Sequence, residues 1–144
     1  MSARALTFTM SALLVFSGIA PSFAQAAPTT GPFQIGVAGA VRGGVELTIP
    51  GQIGRIIQSG EPLFLKQEVV TDAQGHLQIL LLDETVFTIG PNSALTIDAF
   101  VYDPATQAGQ VSATVAKGVF RFVTGKIARK DPSDMQVTLP SGLI

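Results

Sequence analysis

The stretch VVTDAQGHLQILLLDETVFTIGPNSALTI, residues 69–97, decides the fold. It breaks into apolar runs at 69–71, 77–82, 86–89 and 94–97, separated by polar joints at 72–75, 83–85 and 90–93. The runs are too short for helices and rich in Val, Ile, Leu, Phe and Thr, while the joints hold residues that favour turns. Strand and turn therefore alternate throughout. In the longest run Leu77, Ile79 and Leu81 point one way and His76, Gln78, Leu80 and Leu82 the other. The second face starts polar and ends apolar, which predicts a strand half covered at its start and buried on both sides at its end. Phe87 and Ile89 form the next inward pair.

The same reading extends outward in both directions. Upstream, Val37 and Val41 alternate with small residues over 34–42, Gly43 and Gly44 supply a turn, and Val45, Leu47 and Ile49 share one face. A short strand at 52–57 and a turn at 59–62 precede a strand at 63–70 that runs into the central stretch. Downstream, residues 94–102 place Leu95, Ile97, Ala99 and Val101 opposite Thr96, Asp98, Phe100 and Tyr102. Residues 103–109 read as a polar loop, and Val111, Ala113 and Val115 then alternate with Ser112 and Thr114. Phe120 and Phe122 share a face with Arg121 opposite, residues 127–133 (IARKDPS) read as a charged loop, and Val137 and Leu139 align in a last strand. No helical spacing is sustained after the N-terminal segment. The prediction is an all-β domain of about ten short strands, in a compact rolled, solenoid-like or sandwich arrangement, with a small barrel also open.

The N-terminus carries an export signal. Arg4 gives a positive start, residues 5–20 are mostly apolar, and Ala24 and Ala26 stand at the minus-three and minus-one positions of a signal-peptidase site. Thr7, Thr9, Ser11 and Ser17 interrupt a run already short for a span of about 20 apolar residues. The expected organisation is a cleavable signal peptide helix at 1–26, a flexible linker at 27–33 and one β domain at 34–144, with no stable membrane span after cleavage. The final residues Gly142, Leu143 and Ile144 read as the opening of a further strand, so the domain is expected to be incomplete at its C-terminus.

Composition excludes several classes of function. Nine Lys and Arg against ten Asp and Glu, scattered along the chain, give a net charge of −1 and no concentrated basic surface for nucleic acid. The absence of cysteine removes disulfides, zinc thiolates and thiol nucleophiles. His76, the single histidine, has no second His or Cys to complete a zinc site, and no cofactor is expected. Asp83 and Glu84 are adjacent at a turn and point apart, so they read as solvated turn acids rather than as a glycosidase pair. Asp72, Asp103 and Asp134 occupy loops without a D-x-D-x-D-G calcium pattern. Ser93 and Ser141 lack a G-x-S-x-G setting, and the glycines at 36, 39, 43 and 44 are followed by no helix or Lys-Ser/Thr that would form a phosphate loop. No catalytic residue is assigned. The candidate interaction surface comprises Arg121, Lys126, Arg129 and Lys130, a basic group in the last third, with Val137 and Leu139 on the terminal strand.

The order Val69-x-Thr71, Gly75, the run 77–82, Asp83-x-Thr85-x-Phe87-x-Ile89-Gly90-Pro91-Asn92-Ser93-x-Leu95-x-Ile97, Tyr102-Asp103-Pro104 and Lys117-Gly118-x-Phe120-Arg121-Phe122 resembles the FecR-type domain of Gram-negative bacteria. The resemblance covers about 37–139 and is most specific over 85–97. Lys66-Gln67-Glu68 stands where that family usually has Gly-Asp, and Asp83-Glu84-Thr85 replaces Asp-Gly-Ser, so turn types are expected to differ while the topology survives. The resemblance implies the periplasmic part of a signal transducer. In such transducers a cytoplasmic segment and one membrane span precede the domain, and this chain reads as lacking both. The resulting expectation is an exported, non-enzymatic interaction and signalling module in the periplasm or at the cell surface. It would meet an envelope or surface protein, or a copy of itself, through a strand edge. The alternative is a structural or glycan-facing β domain of a larger surface protein, although the chain has one Tyr and no Trp for a sugar platform.

Overall fold

The computed structural model describes residues 33–143, with the backbone alone for 142 and 143; the signal peptide expected at 1–26 and all but Phe33 of the expected linker lie outside them. The chain forms β1 (Gln34–Arg42), β2 (Val45–Thr48), β3 (Arg55–Ile56), β4 (Pro62–Phe64), β5 (Glu68–Thr71) and β6 (His76–Leu81). It continues through β7 (Val86–Ile89), β8 (Ala94–Asp103), β9 (Ala108–Lys117) and β10 (Phe120–Val123). A short helix α1 (Lys126–Lys130) and a 3-10 turn (Pro132–Asp134) lead to β11 (Met135–Leu139) and β12 (Gly142–Leu143). The strands make a five-stranded sheet, ordered β10-β7-β6-β1-β4, and a seven-stranded sheet, ordered β12-β11-β9-β8-β5-β2-β3. Their inner faces meet in one apolar core.

Period-two alternation places that core. Leu77, Ile79, Leu81, Phe87 and Ile89 from the first sheet are buried, as are Val45, Leu47, Val69, Leu95, Ile97, Val111, Ala113 and Val115 from the second. Phe120 and Phe122 pack at its margin, with Phe122 against Phe87 at a centroid distance of 5.9 Å. Three expected strand faces are corrected. Bulges in β1, between Ala38 and Ala40, and in β8, between Ile97 and Ala99, invert the alternation. Ile35 and Ala38 rather than Val37 are buried, and Phe100 turns inward while Val101 lies 63% exposed. The far end of β6 is covered on one side only, because the outer face of the first sheet is open and leaves Leu80 and Leu82 exposed. The strand expected at 63–70 is two strands in different sheets, broken at Lys66, whose φ is +69°.

The chain crosses from one sheet to the other again and again, and four of these crossings lie side by side. They are the β1–β2, β5–β6, β7–β8 and β9–β10 corners. Between the first two, the Asp72 carboxylate and carbonyl-facing amide bind Gly44: Gly44 N donates to Asp72 Oδ2 at 3.1 Å and Asp72 N to Gly44 O at 3.0 Å. Asn92 N donates to Asp72 O at 2.9 Å, and Thr71 N to Ser93 O at 2.9 Å. The buried Thr71 hydroxyl donates to Gly90 O at 2.7 Å and accepts from Ser93 N at 2.9 Å. Ser93 Oγ accepts from Val119 N at 2.9 Å, and Gly90 N donates to Val119 O at 2.8 Å. Only glycine fits at 118, where φ is +100° and a Cβ would strike Ser93. The DAQG and GPNS joints are thus rungs of one polar ladder.

Three substitutions rank these contributions in urea unfolding. Phe87→Ala opens a cavity in the core and lowers stability by about 3–5 kcal/mol. Thr71→Val keeps the shape but leaves a buried carbonyl and amide unpaired, costing about 1–3 kcal/mol. Leu82→Ala on the open face changes stability by less than about 0.5 kcal/mol.

Candidate functional site

Of the basic residues of the last third, Lys126, Arg129 and Lys130 share the short helix α1, and Arg121 stands apart from them. Lys126 pairs with Glu84 at 2.8 Å across the β6–β7 turn. Arg129 Nε donates to Thr124 O at 3.2 Å, and Lys130 Nζ to Thr106 O at 2.8 Å on the β8–β9 hairpin. Arg121 lies elsewhere, on the outer face of the first sheet. Val137 is 1% exposed and belongs to the core, meeting the surface only where it lines a groove beside β10; Leu139 is half buried. The segment read as a charged loop is α1 and the 3-10 turn, with Ile127 and Ala128 buried beneath the charges. Five residues are too few to show helical periodicity in a sequence.

Asp83 is the largest departure from expectation. It is fully buried, whereas its neighbour Glu84 is exposed with φ at +70°. The Asp83 carboxylate accepts from Thr85 N at 3.1 Å, Thr85 Oγ1 at 2.7 Å and Ile127 N at 3.4 Å, while its carbonyl accepts from Lys126 N at 2.7 Å. Thr85 Oγ1 in turn accepts from Gly125 N at 3.0 Å. Asp83 and Thr85 thus satisfy the free amides at the start of α1 and tie it to the β6–β7 turn. No water-facing oxygen is left for acid–base chemistry. Ser93 is equally committed, to the corner ladder.

Two surface features remain. The first is the free edge of β10. Among the described residues β10 pairs with β7 alone, in the register Phe120–Ile89 to Val123–Val86. Because Gly90 N bonds Val119 O, antiparallel alternation directs the main chain of Arg121 and Val123 to β7 and that of Phe120 and Phe122 away from it. Beside this edge a groove of about 290 Å³ is lined by Phe122, Thr124, Ala128, Pro132, Met135 and Val137. The second feature is a depression of about 340 Å³ on the outer face of the first sheet, bordered by Ala40, Arg42, His76, Gln78, Thr88 and Arg121. Sequence reading missed Arg42 and His76, which stand far from Arg121 along the chain and meet it only through the strand order β10-β7-β6-β1. Among the described residues no group of three or more His, Asp and Glu side chains is placed to hold a metal.

These features define an all-β domain, built as a two-sheet roll, whose open chemistry lies on its surface. The chain belongs to the FecR protein family, whose profile matches residues 67–144. No curated protein and no solved structure matches it.

Two outcomes follow from the geometry. Asp83→Asn replaces one of the two acceptor oxygens by an amide NH2 that faces the donors of Thr85 and Ile127, and destabilises the fold by on the order of 2 kcal/mol, read by urea unfolding. Several exposed carboxyls are held below their ordinary range: Glu61 by the Arg55 guanidinium and Gln58 N–H, Glu84 by Lys126, Asp103 by Ala105 N–H and the Thr106 hydroxyl, and Asp131 by Ser133. Each binds its proton less readily folded than unfolded, so its stabilising effect is complete above the ordinary carboxylate pKa and is lost as pH falls through the depressed value. The urea midpoint is expected to decline below pH 4.5, the ordinary glutamate value, and Glu84→Gln to shallow that decline.

Proposed function

We propose that this chain is an exported, non-enzymatic interaction domain of a signalling system and that it receives a partner protein by strand addition at β10. The observation that carries this reading is the β10 edge. It offers the main-chain donors and acceptors of Phe120 and Phe122 along one line, with an apolar groove beside them for alternate side chains of an incoming strand. Edge strands are ordinarily shielded, because an unpaired edge is a template for association. β10 is short, and Arg121 is its one charge.

Membership of the FecR family supports a signalling role. The apolar N-terminal run followed by small residues at 24 and 26 supports export, and the periplasm is the compartment that the family resemblance favours. Among the described residues no helix is long and apolar enough to cross a membrane. The non-enzymatic reading rests on the commitment of Asp83 and Ser93 to internal hydrogen bonds, which leaves neither available as base or nucleophile.

Panning a peptide-display library against the purified chain tests the edge. The expected binders are extended peptides with alternating apolar residues that slow hydrogen exchange at the Phe120 and Phe122 amides. Thr124→Arg, at an exposed position lining the groove, is expected to weaken them by at least about tenfold, the cost of a charge set against an apolar side chain. Binders that protect another edge, or none at about 100 µM, would sink the proposal.

A further inference from the structure

Registers across the outer face of the first sheet bring together side chains that the β10 edge does not use. One row runs Arg121, Thr88, Gln78 and Ala40 across β10, β7, β6 and β1; the next places His76 beside Arg42. These residues surround the 340 Å³ depression, and among the described residues no acidic side chain borders it. Ala40, set at the β1 bulge, is the smallest side chain lining the hollow. Arg42, Arg121 and His76 have no acidic partner among the ion pairs of the described residues, which join Arg55 to Glu61 and Lys126 to Glu84. His76 Nδ1 lies 3.1 Å from Gln74 O, which leaves the other ring nitrogen open to solvent. Two guanidinium forks, an amide and a hydroxyl around one hollow, with the His76 ring at its border, form a donor set suited to an oxyanion.

On the other side of the Arg121 row lies a second one of opposite character: Val123, Val86, Leu80, Val37 and Pro62, one residue from each of the five strands. Leu80 is 42% and Val123 56% exposed, and Leu82 extends the row at the end of β6. Same-face rows are separated by two residues of strand, about 7 Å. A cationic hollow and an uncovered apolar strip therefore adjoin on one face.

We propose that this face binds a single amphipathic anion, a carboxylate or phosphate joined to an apolar chain. The charged group sits among Arg42, His76 and Arg121, and the apolar part lies along Leu80 and Val86. The charge of the hollow and the hydropathy of the strip each find their complement in such a molecule, and neither bulk anion nor neutral lipid satisfies both. This site is separate from the β10 edge, and neither proposal needs the other.

Octyl phosphate, octanoate, inorganic phosphate and octanol, titrated into the full chain below micelle-forming concentration, provide the test, followed by amide shifts in NMR. Octyl phosphate or octanoate is expected to move the amides of Ala40, Gln78, Leu80 and Thr88 and to bind at least about tenfold tighter than inorganic phosphate or octanol, the scale of one charged or one apolar anchor. Which of the two binds tighter separates a phosphate from a carboxylate ligand. Arg42→Gln with Arg121→Gln is expected to lower affinity at least tenfold, and Leu80→Gln several-fold, while Val101→Gln on the other sheet changes nothing; all four sites are exposed, so the fold is retained. Equal binding of inorganic phosphate, an adventitious ion only, would overturn the proposal. So would binding to phosphatidylglycerol vesicles without binding to the monomeric octyl anions, which would mark a membrane surface instead.

Discussion

The Thr71 hydroxyl ties the β5–β6 corner to the β7–β8 corner, donating to Gly90 and accepting from Ser93, 19 and 22 residues further on. It is buried, so its partners have no water to turn to, and the two-sheet arrangement depends on this contact being made. Asp72 extends the same ladder to Gly44, and Ser93 extends it to Val119. A roll in which consecutive strands change sheets needs each corner to be closed against its neighbour. Side chains at the corners do this here, in joints that otherwise resemble ordinary turns.

A second polar knot closes the opposite end of the molecule. Asp83 and Thr85, from the β6–β7 turn, take the amides that begin α1 and so carry the chain from the edge of one sheet to the parallel pairing of β11 with β9 in the other. Gly125 lies so close to Asp83 and Thr85 that a Cβ would collide with both. The groove beside β10 is a product of this knot, because Ala128 and Pro132 form one wall of it. Internal polar contacts thus set the shape of the groove beside β10.

Much of this was legible in the residues. Alternation identified the inward faces of β6, β7, β9 and β10, since those strands are regular and a period of two survives intact. It failed at β1 and β8 because a bulge adds one residue and exchanges the faces beyond it. The fate of Asp83 was hidden for another reason: its partner Ile127 lies 44 residues away, and local patterning carries no information about that separation. Arg121 was read with Lys126 and Arg129, its neighbours along the chain. The sheet order joined it to Arg42 and His76 instead. Strand identity is a local property, whereas which strands are neighbours depends on the whole chain.

The family profile begins at Gln67, yet β1 lies between β6 and β4, and β2 pairs with β5. Ile35, Ala38, Val45, Leu47, Ile57 and Leu63, all upstream of that boundary, are buried in the common core. The stretch that the family profile matches is therefore shorter than the stretch that packs into the common core. Severed at the profile's start, the remainder would present β5 and β6 as two new raw edges, with Val69 and Ile79 opened to water. The family match and the shared core have different limits along this chain, and any transplant of the fold into another protein has to carry the upstream strands that complete the core.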